Sequence, residues 1–339
     1  MAGKIVHWNG LSTWCCWILL VYTASSSTAS DVSADDNTNN NWKWRPEVPH
    51  PCTIQRMNVD EYRETFEETN GIPVMYPHPL VLRTGRERND PLRQVTTEDK
   101  ILSAFPPGFN VTLSSSNSFS QHRRTIPLAQ YLEELRENDG TTSPTQLSNT
   151  SWYLFGETFS DDWKKLLTSY QLPPCQSCQH EYSALSFGIG NRGSGVQWHI
   201  HGPGFGEALH GRKHWILYPP HYQPPFFHPD QSTRNWMEYI YTNTTKLANH
   251  YSDYYNNQQQ QQQLGSNDDE KIYPVLDNGL PYECTLEPGD LIYFPDRWHH
   301  ATLNCNPYTA FVSTFTSDHL YLQDYKRVKR SSSTFGSEL

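Results

Sequence analysis

The chain has 339 residues, a formal net charge of −10, a pI near 5.8 and a mean hydropathy of −0.73. No positive field favours a nucleic-acid partner, and beyond the N-terminal segment no stretch is apolar enough to cross a membrane. The length suits one large β domain with appendages, and 11 Trp and 20 Tyr favour packed β structure.

Residues 1–29 read as a secretory signal peptide. Lys4 supplies the positive region, Trp14 to Ala24 the apolar core, and Ser27-Thr28-Ala29 a small-residue cleavage site. The apolar run is short for a bilayer span, so the mature chain is expected without a membrane span, in the endoplasmic reticulum lumen or secreted. Residues 30–50, rich in Ser, Asp and Asn, read as a flexible linker to a folded part over 51–320. Asn110, Asn149 and Asn243 each open an N-x-S/T sequon and are expected to carry glycans in that compartment.

Loss of the signal leaves Cys52, Cys175, Cys178, Cys284 and Cys305, an odd number that forbids complete internal pairing. Cys175 and Cys178 form a CxxC in a PPCQSCQH loop without the strand-to-helix setting of a redox motif, so structural disulfides are expected. The pairing itself is not legible.

Helices are expected over 124–135 and 159–167, the second capped by Ser160 or Asp161, and a strand over 184–190 followed by a Gly-rich turn. A further helix is expected around Trp236 to Tyr241. The six-Gln run at 258–263 sits in a polar stretch, about 256–270, that reads as a disordered loop insertion. YECTLEPGDLIYFP (282–295) and AFVSTF (310–315) then restore the β pattern. The tail, 321–339, carries Arg327-Val328-Lys329-Arg330, which reads as a solvated basic run and resembles a furin-type site, and ends in Gly-Ser-Glu-Leu, which partly resembles an endoplasmic-reticulum retrieval signal.

The chemistry concentrates in two segments, VQWHIHGPGFGEALHGRKHWILYPP (196–220) and GDLIYFPDRWHHATLN (289–304). In an extended strand His199 and His201 share a face while Ile200 points away. A third imidazole arrives from His299 or His300, beyond the strand that Pro295 ends. Neutral imidazoles suit Fe, Zn, Cu and Ni, and a small set with open positions is how non-heme iron(II) is held.

These segments resemble the two cupin fingerprints, and over roughly 51–320 the chain resembles the JmjC (jumonji-C) branch of that superfamily. Gly289, Pro295, His300 and Asn304 fit the second fingerprint, with Arg297 where it has an internal Gly. That register selects His300 over His299. The first fingerprint is His-x-Asp/Glu followed by Gly-x-Lys; His199 and Gly211-Arg212-Lys213 match, and NGIPVMYPHPL (70–80) resembles the family's first strand.

The resemblance implies a mainly β double-stranded β-helix, or jelly roll, with flanking helices and the site at its mouth. It also implies Fe(II) at His199, His201 and His300, 2-oxoglutarate on Lys213, and hydroxylation of a protein substrate. One departure stands out: His201 occupies the position of the acidic ligand. A third neutral imidazole leaves the iron more positive. Broader cupins add a Glu, for which Glu207 is the candidate, giving a germin-like manganese site. Three protein ligands leave three octahedral positions for a bidentate cosubstrate and dioxygen; four leave two. Loss of the acid also admits a protein without turnover that acts by binding partner proteins.

Overall fold

The computed structural model describes residues 52–73, 76–115, 122–137, 152–176, 178, 183–228, 231–262, 275–276 and 279–316. The expected signal peptide, linker, Asn149 and basic tail lie outside them.

Twelve strands among these residues form two sheets. The larger runs in the order β1 (Gln55–Asn58), β2 (Leu80–Arg83), β10 (Asp290–Phe294), β7 (Gly204–His210), β12 (Thr309–Thr316), β6 (Ser183–Gly190), β5 (Trp152–Leu154), β3 (Asn110–Ser115) and β4 (Arg123–Pro127). All neighbours are antiparallel except β1 and β2. The smaller sheet is β11 (His299–Asn304), β8 (Lys213–Tyr218) and β9 (Tyr282–Leu286).

Strand composition follows the layers. KHWILY of β8 and DLIYF of β10 are buried along their whole length. Such strands lie covered on both faces and need no polar alternation. Val81, Ala208, Trp215, Leu217, Ile292 and Phe294 pack between the sheets. A Cβ on Gly206 would lie 2.4 Å from Cζ2 of Trp215, so glycine in β7 lets the smaller sheet approach.

Helices cover both outer faces. α3 (Leu128–Glu137) buries Leu128, Tyr131, Leu132 and Leu135, an i, i+3, i+4, i+7 stripe, against Phe187 and Ile189 of the larger sheet. α4 (Asp161–Leu167) adds Trp163 and Leu166 beside it, and α2 (Asp90–Val95) adds Leu92. α1 (Val59–Phe66), capped by a reciprocal Asn58–Glu61 box, sets Tyr62 and Phe66 on Phe205 and Leu291. On the smaller sheet, α5 (Thr233–Trp236), the π turn that continues it (Met237–Tyr241) and α6 (Thr244–Gln262) bring Trp236, Met237 and Leu247 onto Ile216, Tyr218 and Leu303. The result is a jelly-roll sandwich rather than a closed barrel.

Several expectations shift. Residues 124–127 belong to β4, where Thr125 pairs with Thr112, and the helix begins at Leu128. Pro127, without an N–H, ends the strand at the helix start. Ser160 holds the N-cap position of α4 but makes no side-chain cap bond. The region expected to open the domain with a strand near 70–80 forms β2 only from Leu80. α6 runs through residues 256–262, expected as loop, because Gln is a good helix former. It is capped by Asn243, whose Oδ1 accepts from Lys246 N at 2.9 Å. Residues 263–270 lie outside the described part.

Disulfides join Cys52 to Cys284 and Cys175 to Cys178, and Cys305 is a buried free thiol. The first ties the segment before β1 to β9 across 232 residues. Chain entropy makes such a loop stabilising by on the order of 3–5 kcal/mol. Cys52→Ser with Cys284→Ser should lower the denaturant midpoint accordingly; an unchanged midpoint would show that the bridge does not constrain the unfolded chain.

Candidate metal centre

The site begins with main-chain pairing. Residues 194–199 lie along β11: Asn304 N donates to Ser194 O (2.8 Å), Thr302 N to Val196 O (2.9 Å), and His199 and His300 exchange both backbone bonds (3.1 and 3.0 Å). The approach is so close that a Cβ on Gly195 would stand 1.9 Å from Thr302 O. His199 and His300 therefore face each other, ring centroids 4.1 Å apart. The chain then bends, leaving Ile200 48% exposed, and returns His201 to within 5.2 Å of the His199 ring and 4.7 Å of the His300 ring.

His201 is fixed from the second segment. Its carbonyl accepts from Arg297 N at 2.9 Å, and Arg297 adopts φ 58°. Arg297 thus takes the left-handed conformation that glycine adopts freely, which accounts for its standing where the fingerprint has Gly.

All three imidazoles turn the same nitrogen to the main chain. Nδ1 of His199 lies 2.7 Å from Gln197 O, that of His201 2.7 Å from Gly202 O, and that of His300 2.8 Å from Trp298 O. A carbonyl only accepts, so each Nδ1 carries the proton and each Nε2 holds a lone pair. One ring nitrogen from each residue lies within 4.8 Å of the others, and Nε2 of His201 and His300 are 3.1 Å apart. Lone pairs that close repel unless a cation lies between them, and imidazoles whose other N–H is held by a carboxylate, a backbone carbonyl or water are the usual arrangement around a metal. The donor set fits a divalent transition metal.

Electrostatics agree. His199 and His201 keep some surface at the mouth while His300 is buried. The surrounding protein pushes His199 down to about 4, and burial with the neighbouring imidazoles holds His300 well below its ordinary value. Both stay neutral and ready to ligate at physiological pH. His299, next along β11, turns to the other face and is held by Pro220.

Glu207 does not join them. It sits on the opposite face of β7 with Phe205 and Leu209, buried, taking Asn89 Nδ2 on both oxygens (2.8 and 2.9 Å), the Tyr170 hydroxyl at 3.0 Å and Arg88 Nε at 3.3 Å. Burial raises its carboxyl, against those three partners. The four-ligand arrangement is therefore corrected to three.

Lys213 opens β8 and points between the sheets, 2% exposed. Its Nζ donates to Asn304 Oδ1 at 3.0 Å and stands 3.7 Å from the centre of the Phe311 ring. Asn304 is oriented in turn by Ser194 Oγ at 3.0 Å. No carboxylate among the described residues pairs with this ammonium, and burial lowers it to about 7. Lys213 shares one cavity with the three imidazoles, walled by Trp215, Phe294, Phe311 and Phe315, of ≈ 20 Å³, room for about one water molecule. Phe311, Ser313 and Phe315 were missed in the sequence, although strand alternation through AFVSTF sets them on one face. Asn110 and Asn243 are exposed, at the starts of β3 and α6.

A jelly roll with converging imidazoles and a buried lysine between its sheets defines a cupin-type protein with a candidate metal centre. The family profile described as a cupin-like domain matches residues 2–317, and the chain belongs to this cupin-like, JmjC family. JmjC domain-containing protein 8 of Homo sapiens is 33% identical over 279 residues, 80% of this chain and 89% of that protein. Its Mus musculus counterpart is 32% identical over 78% of this chain and 82% of its own length. The Arabidopsis thaliana lysine-specific demethylase JMJ21 is 26% identical over 70% of this chain and 23% of that protein.

Two outcomes test this geometry. Glu207→Gln would set an amide against Asn89 and Arg88 and cost about 1–3 kcal/mol, with metal stoichiometry unchanged on elemental analysis; lost metal would return Glu207 to the centre. In metal-free protein, His199 and His300 are depressed below the unfolded value of about 6.5, so the unfolded state binds more protons as pH falls. Stability is then full above about 6.5 and lost towards 4. Thermal melts in chelator across that range should show the decline, and His300→Ala should flatten it.

Proposed function

We propose that the protein is a JmjC-type hydroxylase of the endoplasmic reticulum lumen, holding iron(II) at His199, His201 and His300, taking 2-oxoglutarate at Lys213 and acting on a protein side chain. The observation that carries this reading is a buried lysine, without a carboxylate partner among the described residues, in the same cavity as three lone pairs that converge. The signal-like N-terminus, two disulfides and two exposed sequons favour the oxidising compartment. No helix among the described residues is long and apolar enough to cross a membrane.

The metal fits the donors present. Three neutral imidazoles leave open positions on an octahedral ion. The cosubstrate fits in charge at Lys213, and the enclosed space beside the lysine has room for about one water in this structure. Together, iron(II) and 2-oxoglutarate supply the oxidising power drawn from dioxygen in this chemistry. The chain's own residues have definite tasks beside them. The carbonyls of Gln197, Gly202 and Trp298 orient the imidazoles, Asn304 aims the lysine, and Phe294 and Phe315 pack edge-on against His201.

A second reading, a protein without turnover that works by binding partner proteins, is favoured by the absence of a carboxylate from the residues lining the cavity and by its small size. Protein from a secretory host, purified without oxygen, separates the two. The hydroxylase reading expects one iron per chain and 2-oxoglutarate consumption, and His201→Asp should consume it faster. Full metal with no consumption by either form would establish the binding protein.

A further inference from the structure

Among the side chains that confine the space at Lys213, Phe311 is the one whose ring face meets the ammonium. The ammonium has three N–H donors; Asn304 takes one, and the face of Phe311 covers the group at 3.7 Å. A cation on an aromatic face is a favourable contact, and it offsets part of the desolvation of this lysine, which has no carboxylate partner among the described residues. Phe311 is held there by its own strand. It pairs in register with Gly188 of β6, and a Cβ on Gly188 would stand 2.2 Å from Phe311 Cζ, so the ring lies across the gap that this glycine leaves. Phe155, 5.4 Å away and tilted, backs it. Gly188 and Phe311 therefore work as a pair, one opening the space and the other filling it over the lysine.

We propose that Phe311 decides which ligands reach Lys213: its ring occupies the approach of a carboxylate, so the site admits a water-sized ligand, and a dicarboxylate binds only by displacing the ring. This rests on the reading of Lys213 as an anion anchor. Cation–π contact and ion pair then become alternatives at one ammonium, and the affinity for the dicarboxylate is set by the difference between them.

The test is calorimetric titration of 2-oxoglutarate into full-length protein loaded with zinc, which blocks turnover, comparing wild type with Phe311→Ala and Phe311→Leu. Metal stoichiometry and melting temperature check each variant's fold. Phe311 is a large buried side chain, so if the alanine form does not fold, the leucine form, which keeps apolar bulk but lacks the π face, carries the comparison.

The expected result is binding at least tenfold tighter in Phe311→Ala than in wild type, an intermediate value in Phe311→Leu, and loss of the gain when Lys213→Met is added. Equal or weaker binding in the folded variants, with wild type binding, would overturn the role of Phe311 and leave the anchor intact. No binding in any zinc-loaded form would overturn the anchor and the proposal together.

Discussion

The backbone pairing of residues 194–199 with β11 is the contact on which the site depends. It brings together two segments about a hundred residues apart and sets His199 opposite His300 through two hydrogen bonds. Glycine at 195 allows it, because any side chain there would meet Thr302 O. The same register carries Asn304 beside Ser194 and, across β8, beside Lys213. His199, His300 and the buried Lys213 thus meet along β11. A shift of β11 by one residue would turn His300, Thr302 and Asn304 to the outer face at once.

Around that ladder, the division of faces assigns the chemistry. Inward positions of β8 and β12 supply Lys213, Trp215, Phe311 and Phe315, while their outward neighbours Ile216, Tyr218 and Val312 meet the covering helices. Two buried polar clusters lie apart on this scheme. Glu207 with Arg88, Asn89 and Tyr170 lies under the N-terminal helices. His214, with Glu283 at 3.1 Å and the Tyr241 hydroxyl on that same carboxylate at 2.6 Å, lies under the C-terminal ones. Buried carboxylates are present in the fold, yet among the described residues none is directed at the imidazoles.

Much of this was legible in the residues. Spacing i, i+2 announced a shared face for His199 and His201, and the second fingerprint singled out His300 and pointed to the jelly roll. Glu207 shows where periodicity stops. It has the same parity as His199 and His201, so an unbroken strand would place all three together. The bend at Gly202 and Pro203 separates the histidine segment from β7 and resets the alternation. The helix expected from 124 erred for a related reason, since the apolar stripe of α3 is local while the strand character of Arg124 to Pro127 comes from its partner β3. The glutamine run was read as loop because low complexity hides helix propensity. Phe311 over Lys213 is a contact between distant strands, for which one sequence offers no local signal.

The carbonyls that receive the three Nδ1 protons have a consequence for robustness. Many metal sites orient their histidines with carboxylate side chains, which a point substitution can delete. Here the orienting groups belong to Gln197, Gly202 and Trp298 as peptide units, and every amino acid supplies the same carbonyl. The outer layer of this centre is encoded in chain path rather than in side-chain identity. Substitution at those three positions can perturb the centre only by moving the backbone, so its tolerance to mutation is set by the stiffness of two short segments.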